Sequence, residues 1–313
     1  WCRRYDSCRG ASSSELRLPG SVVARIPGGP ARWDDRSVRW PPVAAWTCAA
    51  LAVAAVVGAL VLRGIDDEPV PSAFAALGFA AFSIPALLAG VAIARKRPEN
   101  AVGPIVAALG LIPALDVAFD AWAGAAVDGH VAGAEWAALL YDSDWIPVFG
   151  LLALLLLLFP DGRPPTPRWR WAVWLAIAAP VLVALVGAFR DEPFEAPYED
   201  VAHPLPALPD PADAALTGVA LSALVAAVVL AAIAMIVRFR RSRGVERIQI
   251  KWLAAAAILL PVALVAGIVE GTVTDGTGPV TLVSFLAAYL ALTGAVAVAM
   301  LRHGLYDVDR VIS

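Results

Sequence analysis

Long runs of Ala, Leu and Val recur along this chain, separated by short polar links, and each run is long enough to cross about 30 Å of hydrocarbon at 1.5 Å per residue. Inside a bilayer every backbone N–H and C=O must be satisfied within the protein, so runs of this kind fold as helices. Eight windows qualify: Pro42–Leu62, Pro71–Ala94, Ala101–Ala125, Trp145–Phe159, Trp169–Phe189, Ala214–Val237, Trp252–Val273 and Val280–Leu301. The third is the least apolar. The fourth, with its Leu151–Leu158 run, is short, and its start falls at Trp145 or nearer Leu139. Pro85, Pro104, Pro113, Pro180 and Pro261 lie in or near these windows and predict kinks rather than breaks, because neighbouring helices can satisfy the freed carbonyls.

Composition excludes the soluble alternative. Hydrophobic residues make up 60% of the 313 and charged residues 16%, whereas a soluble domain carries about 25% charged residues. With a mean hydropathy of +0.73, the apolar sequence exceeds what two soluble cores would absorb. The expected fold is all-α: a polytopic membrane protein with about eight transmembrane helices over residues 41–302.

The flanks differ. Residues 1–40 carry Arg3, Arg4, Arg9, Arg17 and Arg25 among Gly, Ser and Pro, without an apolar period, which predicts a disordered basic segment. They hold no apolar core of a secretory signal peptide. A start at Trp1, methionines only at 235 and 300, and an end at Ser313 soon after an apolar helix read as a fragment or a misplaced reading frame. Cys2, Cys8 and Cys48 show neither a disulfide framework nor a metal spacing.

Charge orients the helices. With the N-terminus in the cytoplasm, Arg95-Lys96-Arg97, then Arg163, Arg168 and Arg170, then Arg238 to Lys251, and finally Arg302 and Arg310 all fall inside, leaving Arg63 and Arg190 outside. The outer links are acidic: Asp66, Asp67 and Glu68; Asp128, Glu135, Asp142 and Asp144; Asp191 to Asp200; Glu270 and Asp275. A missed or invented span would break this alternation, so it supports eight helices with both termini cytoplasmic. Trp46, Trp145, Trp169, Trp171 and Trp252 mark predicted helix ends at headgroup level.

Few residues carry candidate chemistry. Asp116 and Asp120 lie four apart, on one face of the third helix, and an ionisable group within a membrane is a functional candidate by default. The alternative is that both sit near the outer end, wetted by headgroups or bonded within the bundle. Glu270 reads as an outer cap. The link from Arg190 to Asp213, with Phe194, Tyr198 and His203 among prolines and acids, is too short for a separate ligand-binding domain and reads as a solvated, Pro-stiffened connector. His130 and His203 lack patterned partners. Asp275-Gly276-Thr277-Gly278 is an outer turn, not a phosphate cradle, which would need the glycines to open a helix. No nucleotide, dinucleotide or zinc motif occurs, so no cofactor is expected in this chain.

Four cytoplasmic stretches are more distinctive: Arg95-Lys96-Arg97-Pro98-Glu99-Asn100; Phe159-Pro160-Asp161-Gly162-Arg163; Arg243-Gly244-Val245-Glu246-Arg247-Ile248-Gln249-Ile250-Lys251-Trp252; and the exit Leu305-Tyr306-Asp307-Val308-Asp309-Arg310-Val311-Ile312-Ser313. Physically, the first three are topology anchors. The exit alternates charged and apolar residues after the membrane ends. Residues 303–313 therefore read as the start of a cytoplasmic element, with Arg302, Tyr306, Asp307, Asp309 and Arg310 as the candidate residues of the exit segment.

In this order and spacing the stretches resemble the N-terminal membrane region of actinobacterial-type sensor histidine kinases, over roughly residues 42–313. The resemblance implies a cell-membrane sensor that acts as a homodimer. The exit segment would lead to a helix pair bearing the phosphorylated histidine and to a domain that binds ATP and serves a response regulator. None of these modules is in the present sequence, and the juxtamembrane His303 is not expected to be the phosphoacceptor. The implied partners are the lipid bilayer, a second copy and a response regulator, with no nucleic acid. The competing class is a secondary transporter or orphan membrane protein, although no internal repeat is evident and Asp116 is the only acidic residue at any depth. An integral membrane enzyme would need a His and carboxylate cluster that three scattered histidines do not supply.

Overall fold

The computed structural model describes residues 40–302 except 66–69, 191, 195, 258, 260, 261, 263–265, 267, 268 and 271–278. The expectations for residues 1–39 and for the exit residues 303–313 lie outside the described residues. All regular structure among the described residues is helical: α1 Trp40–Ile65, α2 Val70–Ala80, α3 Ser83–Lys96, α4 Val102–Val127, α5 Ala134–Ser143, α6 Ile146–Leu158, α7 Arg170–Gly187, α8 Asp210–Arg241, α9 Gly244–Ala257 and α10 Pro279–Ala297. A single 3-10 turn, Pro167–Trp169, opens α7, and a π turn, Val298–Arg302, closes α10.

Seven helical stretches among the described residues are long and apolar enough to span a bilayer. The window Trp252–Val273 is entered by α9, and much of its remainder lies outside the described residues. The outward surface is that of a membrane protein: Val43, Val53, Leu88, Trp174, Val181 and Val225 are each more than half exposed. In water they would form apolar patches far larger than a soluble monomer tolerates.

The bundle is organised around α4, which packs on α1, α3, α5 and α6, while α7 lies against α6 and α8, and α10 against α3 and α9. Over half of α4's apolar window is buried (56%), against 17% for α1, so α4 is the central strut and α1 a peripheral helix. Close approach of α3 to α4 depends on absent side chains. A Cβ at Gly90 would lie 2.5 Å from the Ala107 nitrogen, and one at Gly103 2.7 Å from the Ala94 nitrogen. Where lipid is as apolar as leucine, small residues of this kind supply the contact that associates helices.

Two expectations become more definite. The second window kinks ahead of Pro85: one spanning stretch, Ala76–Lys96, passes from α2 to α3 through a turn over Ala81 and Phe82, where Phe82 N donates to Phe79 O at 3.0 Å and Ile84 N to Ala81 O at 3.1 Å. Pro85, which has no N–H, cannot donate to the Ala81 carbonyl, and the chain turns where that bond is missing. Of the two starts expected for the fourth span, the earlier one is on the right side, and the helix reaches back past Leu139 to Ala134. It joins α5 to α6 over Ala134–Leu158, because α6 alone has 13 residues and rises only about 20 Å. Trp145 consequently lies in the join as the N-cap of α6, at a helix end but inside the span, its Nε1 donating to Asp142 O at 2.9 Å. Glu135 and Asp142 are in α5 rather than in a link.

Candidate functional site

Two hydrogen-bonded clusters form, one at each end of the bundle. The links that charge assigns to the exterior meet at one end, here the outer end, and those assigned to the cytoplasm meet at the other, the inner end.

At the outer end, α1 delivers Arg63 and α4 delivers Asp120. The Arg63 guanidinium, 9% exposed, pairs with the Asp120 carboxylate at 2.5 Å. The Tyr198 hydroxyl comes down from the link after α7 and shares its single proton between Asp120 Oδ1 at 2.8 Å and Asp120 O at 2.9 Å. Burial, then the Asp120 charge and hydrogen bond, push the Tyr198 phenol above its ordinary range. Asp116 lies one turn earlier on α4, without a hydrogen bond or ion pair among the described residues, and Asp144 is within its electrostatic reach. Thus Asp120 is a tethering group, whereas Asp116 remains an unpartnered carboxylate within a span.

The link itself is not a solvated connector. Phe194 and Tyr198 are buried, packed with Ala123, Ala137, Leu139 and Ala188, and Tyr141 meets Tyr198 edge-on at 5.5 Å. His203 stacks on Phe194 at 4.0 Å, and its Nε2 bonds the Glu192 carbonyl at 2.7 Å. Leu208 N donates to Phe189 O at 2.9 Å and closes the base of the link. Two aromatic side chains recover apolar burial that the acidic and proline-rich composition conceals. Glu270 Oε1 accepts from Val280 N at 3.0 Å and so caps the start of α10.

The inner end is built on backbone groups. Helix α6 stops at Leu158, leaving its last carbonyls without intrahelical donors. Arg238 of α8, 7% exposed, answers two carbonyls at that end and one in the turn beyond it: Nη1 donates to Phe159 O at 2.6 Å, and Nη2 donates to Leu157 O at 3.2 Å and to Arg163 O. The Asp161 carboxylate lies 3.9 Å away. Asn100, also buried, donates from Nδ2 to Pro160 O at 2.7 Å and accepts from Val102 N at 2.9 Å, which caps α4. Gly162 closes the turn through its own N–H to Leu158 O at 2.7 Å. Its φ of +73° is left-handed, and a Cβ there would sit 2.5 Å from Asn100 Oδ1, so only glycine fits.

The other distinctive stretches attach to this node. Arg95 lies over the Trp46 ring at 5.0 Å and Arg247 over the Phe239 ring at 4.9 Å. Buried Gln249 donates to Ala299 O at 2.7 Å, inside the π turn that ends α10. A cleft of about 480 Å³ opens beside the node between Glu99, Asp161, Arg163 and Arg241. Of the sequence-predicted exit residues, Arg302 closes the π turn, and Tyr306, Asp307, Asp309 and Arg310 lie outside the described residues.

Sequence reasoning missed Arg63, Tyr198, Asn100 and Arg238 as structural partners. A signal did exist for Arg63: one of two cations left on the acidic side, it calls for a buried anion. No group of His, Cys, Asp and Glu able to hold a metal ion occurs among the described residues. No family model matches the chain, and neither a curated protein nor a solved structure is significantly similar to it.

Proposed function

We propose that this chain is the membrane input region of a two-component sensor histidine kinase, with eight transmembrane helices in the plasma membrane and both termini in the cytoplasm. The reading rests on the resemblance of the four cytoplasmic stretches. One observation supports it beyond resemblance: stretches 95–100 and 159–163, far apart in sequence, share one node through Asn100 and Arg238, and the stretch 243–252 grips the end of the last helix through Gln249. Topology anchors acting separately would need no such mutual bonding. A stimulus at the outer end transmits a signal if it favours one of two helix arrangements, and the node couples the inner ends of α4, α6 and α8.

In a protein of this kind, the Arg302 to Arg310 segment leads from α10 to a dimerisation helix pair bearing the phosphoacceptor histidine. An ATP-binding domain phosphorylates that histidine, and a response regulator receives the phosphoryl group. The test uses the full-length protein in native membranes: labelled ATP is expected to phosphorylate a histidine, and replacing Asp307 to Arg310 with Gly/Ser is expected to disconnect that activity from the stimulus. Absence of ATP-dependent histidine phosphorylation, or regulation unchanged by the replacement, overturns the proposal. The Arg63–Asp120 pair near a carboxylate within a span favours the competing transporter reading. Substrate uptake by purified protein in liposomes would establish it.

A further inference from the structure

Beside the Arg63–Asp120 tether, under the same outer link, lies a second feature. A cavity of about 290 Å³ opens between the α5–α6 join, the last turns of α7 and the first turns of α8. Its size is at the small end for a ligand site. Val183, Val186 and Leu221 form an apolar floor, and Arg190, Phe194 and His203 of the link form the roof.

Three polar atoms of this lining are buried without a hydrogen-bond partner: Arg190 Nε, His203 Nδ1 and Thr217 Oγ1. Buried polar groups in folded proteins are overwhelmingly paired, so three in one lining call for an explanation. Their chemistry is specific. His203 Nε2 faces a carbonyl, which only accepts, so Nε2 holds the proton and Nδ1 of the neutral ring is an acceptor. Arg190 Nε can only donate. The Thr217 hydroxyl does both. Arg190 is already paired with Glu192, and Asp142 adds a carboxylate to the lining. An entering anion would meet that carboxylate, and any net ion would lose hydration against the apolar floor.

We propose that this cavity binds a small uncharged amphiphile: an apolar body carrying one group that both donates and accepts, such as a primary amide or an alcohol. The body lies on Val183, Val186 and Leu221, and the polar group bonds toward Thr217, His203 and Arg190. This deepens the sensor reading by naming its ligand class, and it rests on that reading only for the consequence of occupancy.

The test uses the full chain in lipid nanodiscs, benzamide as probe and ligand-observed saturation-transfer NMR, with empty nanodiscs as baseline. Saturable benzamide binding is expected, with benzoate and benzylammonium at least about tenfold weaker. Thr217→Val is expected to weaken benzamide roughly tenfold, the loss of one buried hydrogen bond. Ala220→Phe, which fills the cavity from a buried lining position, is expected to abolish it. A thermal transition retained in Thr217→Val shows that this variant is folded. A benzamide signal no larger than that of empty nanodiscs, equal binding of the charged probes, or binding unchanged in both variants overturns the site. Benzamide binding that leaves kinase output unmoved counts against the sensor reading and leaves the cavity standing. Regulated output without benzamide binding does the reverse.

Discussion

At the outer end, Arg63 and Tyr198 converge on a carboxylate that is still 31% exposed, whereas at the inner end Arg238 is withdrawn from solvent and directs its guanidinium to three backbone carbonyls. In the outer pair only Asp120 is wet, so water replaces the bonds that carboxylate loses on release, although the buried Arg63 guanidinium must then find other partners. A buried guanidinium on helix-end carbonyls has no such substitute, and breaking it strands several polar groups at once. The inner end is therefore the rigid one and the outer end the adjustable one. That asymmetry is what the proposed sensor reading calls for.

The comparison can be broken by mutation. The largest expected effect is Arg238→Ala, which leaves the Leu157, Phe159 and Arg163 carbonyls without their donor and is expected to cost about 3 kcal/mol. Thermal unfolding in nanodiscs measures it, and a loss below that of the outer-end variants would reverse the ranking of the two ends. Next comes Gly162→Ala, at about 2 kcal/mol, since the added Cβ meets Asn100 Oδ1 and the residue keeps a left-handed φ. The same unfolding experiment reads it.

The smallest effect belongs to Tyr198→Phe, about 1 kcal/mol, which unfastens the link from Asp120 without unfolding the bundle. Proteolysis of the link should accelerate while the global transition stays nearly in place. Burial and the Asp120 charge raise the Tyr198 pKa, so the folded state favours the neutral phenol. Its contribution is complete below the ordinary tyrosine value of about 10 and is lost as pH rises beyond it. Protease sensitivity of the link should therefore climb above pH about 10 in the native protein, and Tyr198→Phe should lack that alkaline step.

The long apolar windows were legible because periodicity is local: Ala101–Ala125 against α4 and Pro42–Leu62 against α1 differ by a few residues at each end. Boundaries stayed open where a distant contact decided them. The span reaches back to Ala134 because Ala137 and Leu139 are buried against Phe194 and Tyr198, residues some sixty positions later. Phe194 and Tyr198 misled for the same reason, since a link with two aromatic residues among prolines and acids reads as solvated until the surface beneath it is known. Asp120 was visible as a charge in a helix. Its partner was not, because Arg63 lies 57 residues away and nothing local pairs them. Arg238 was read as one anchor among several basic residues, and only packing distinguishes it from its exposed neighbours Arg240 and Arg241.

The central claim is that the chain spans a bilayer with the Arg238 node on the cytoplasmic side and the Tyr198 link outside. The most direct measurement is labelling by a membrane-impermeant maleimide of single cysteines at positions 130, 200, 163 and 241, in a cysteine-free background in intact cells. Labelling at 130 and 200, with 163 and 241 protected until the cells are opened, is the predicted result. The reverse pattern, or equal labelling of all four positions, would contradict it.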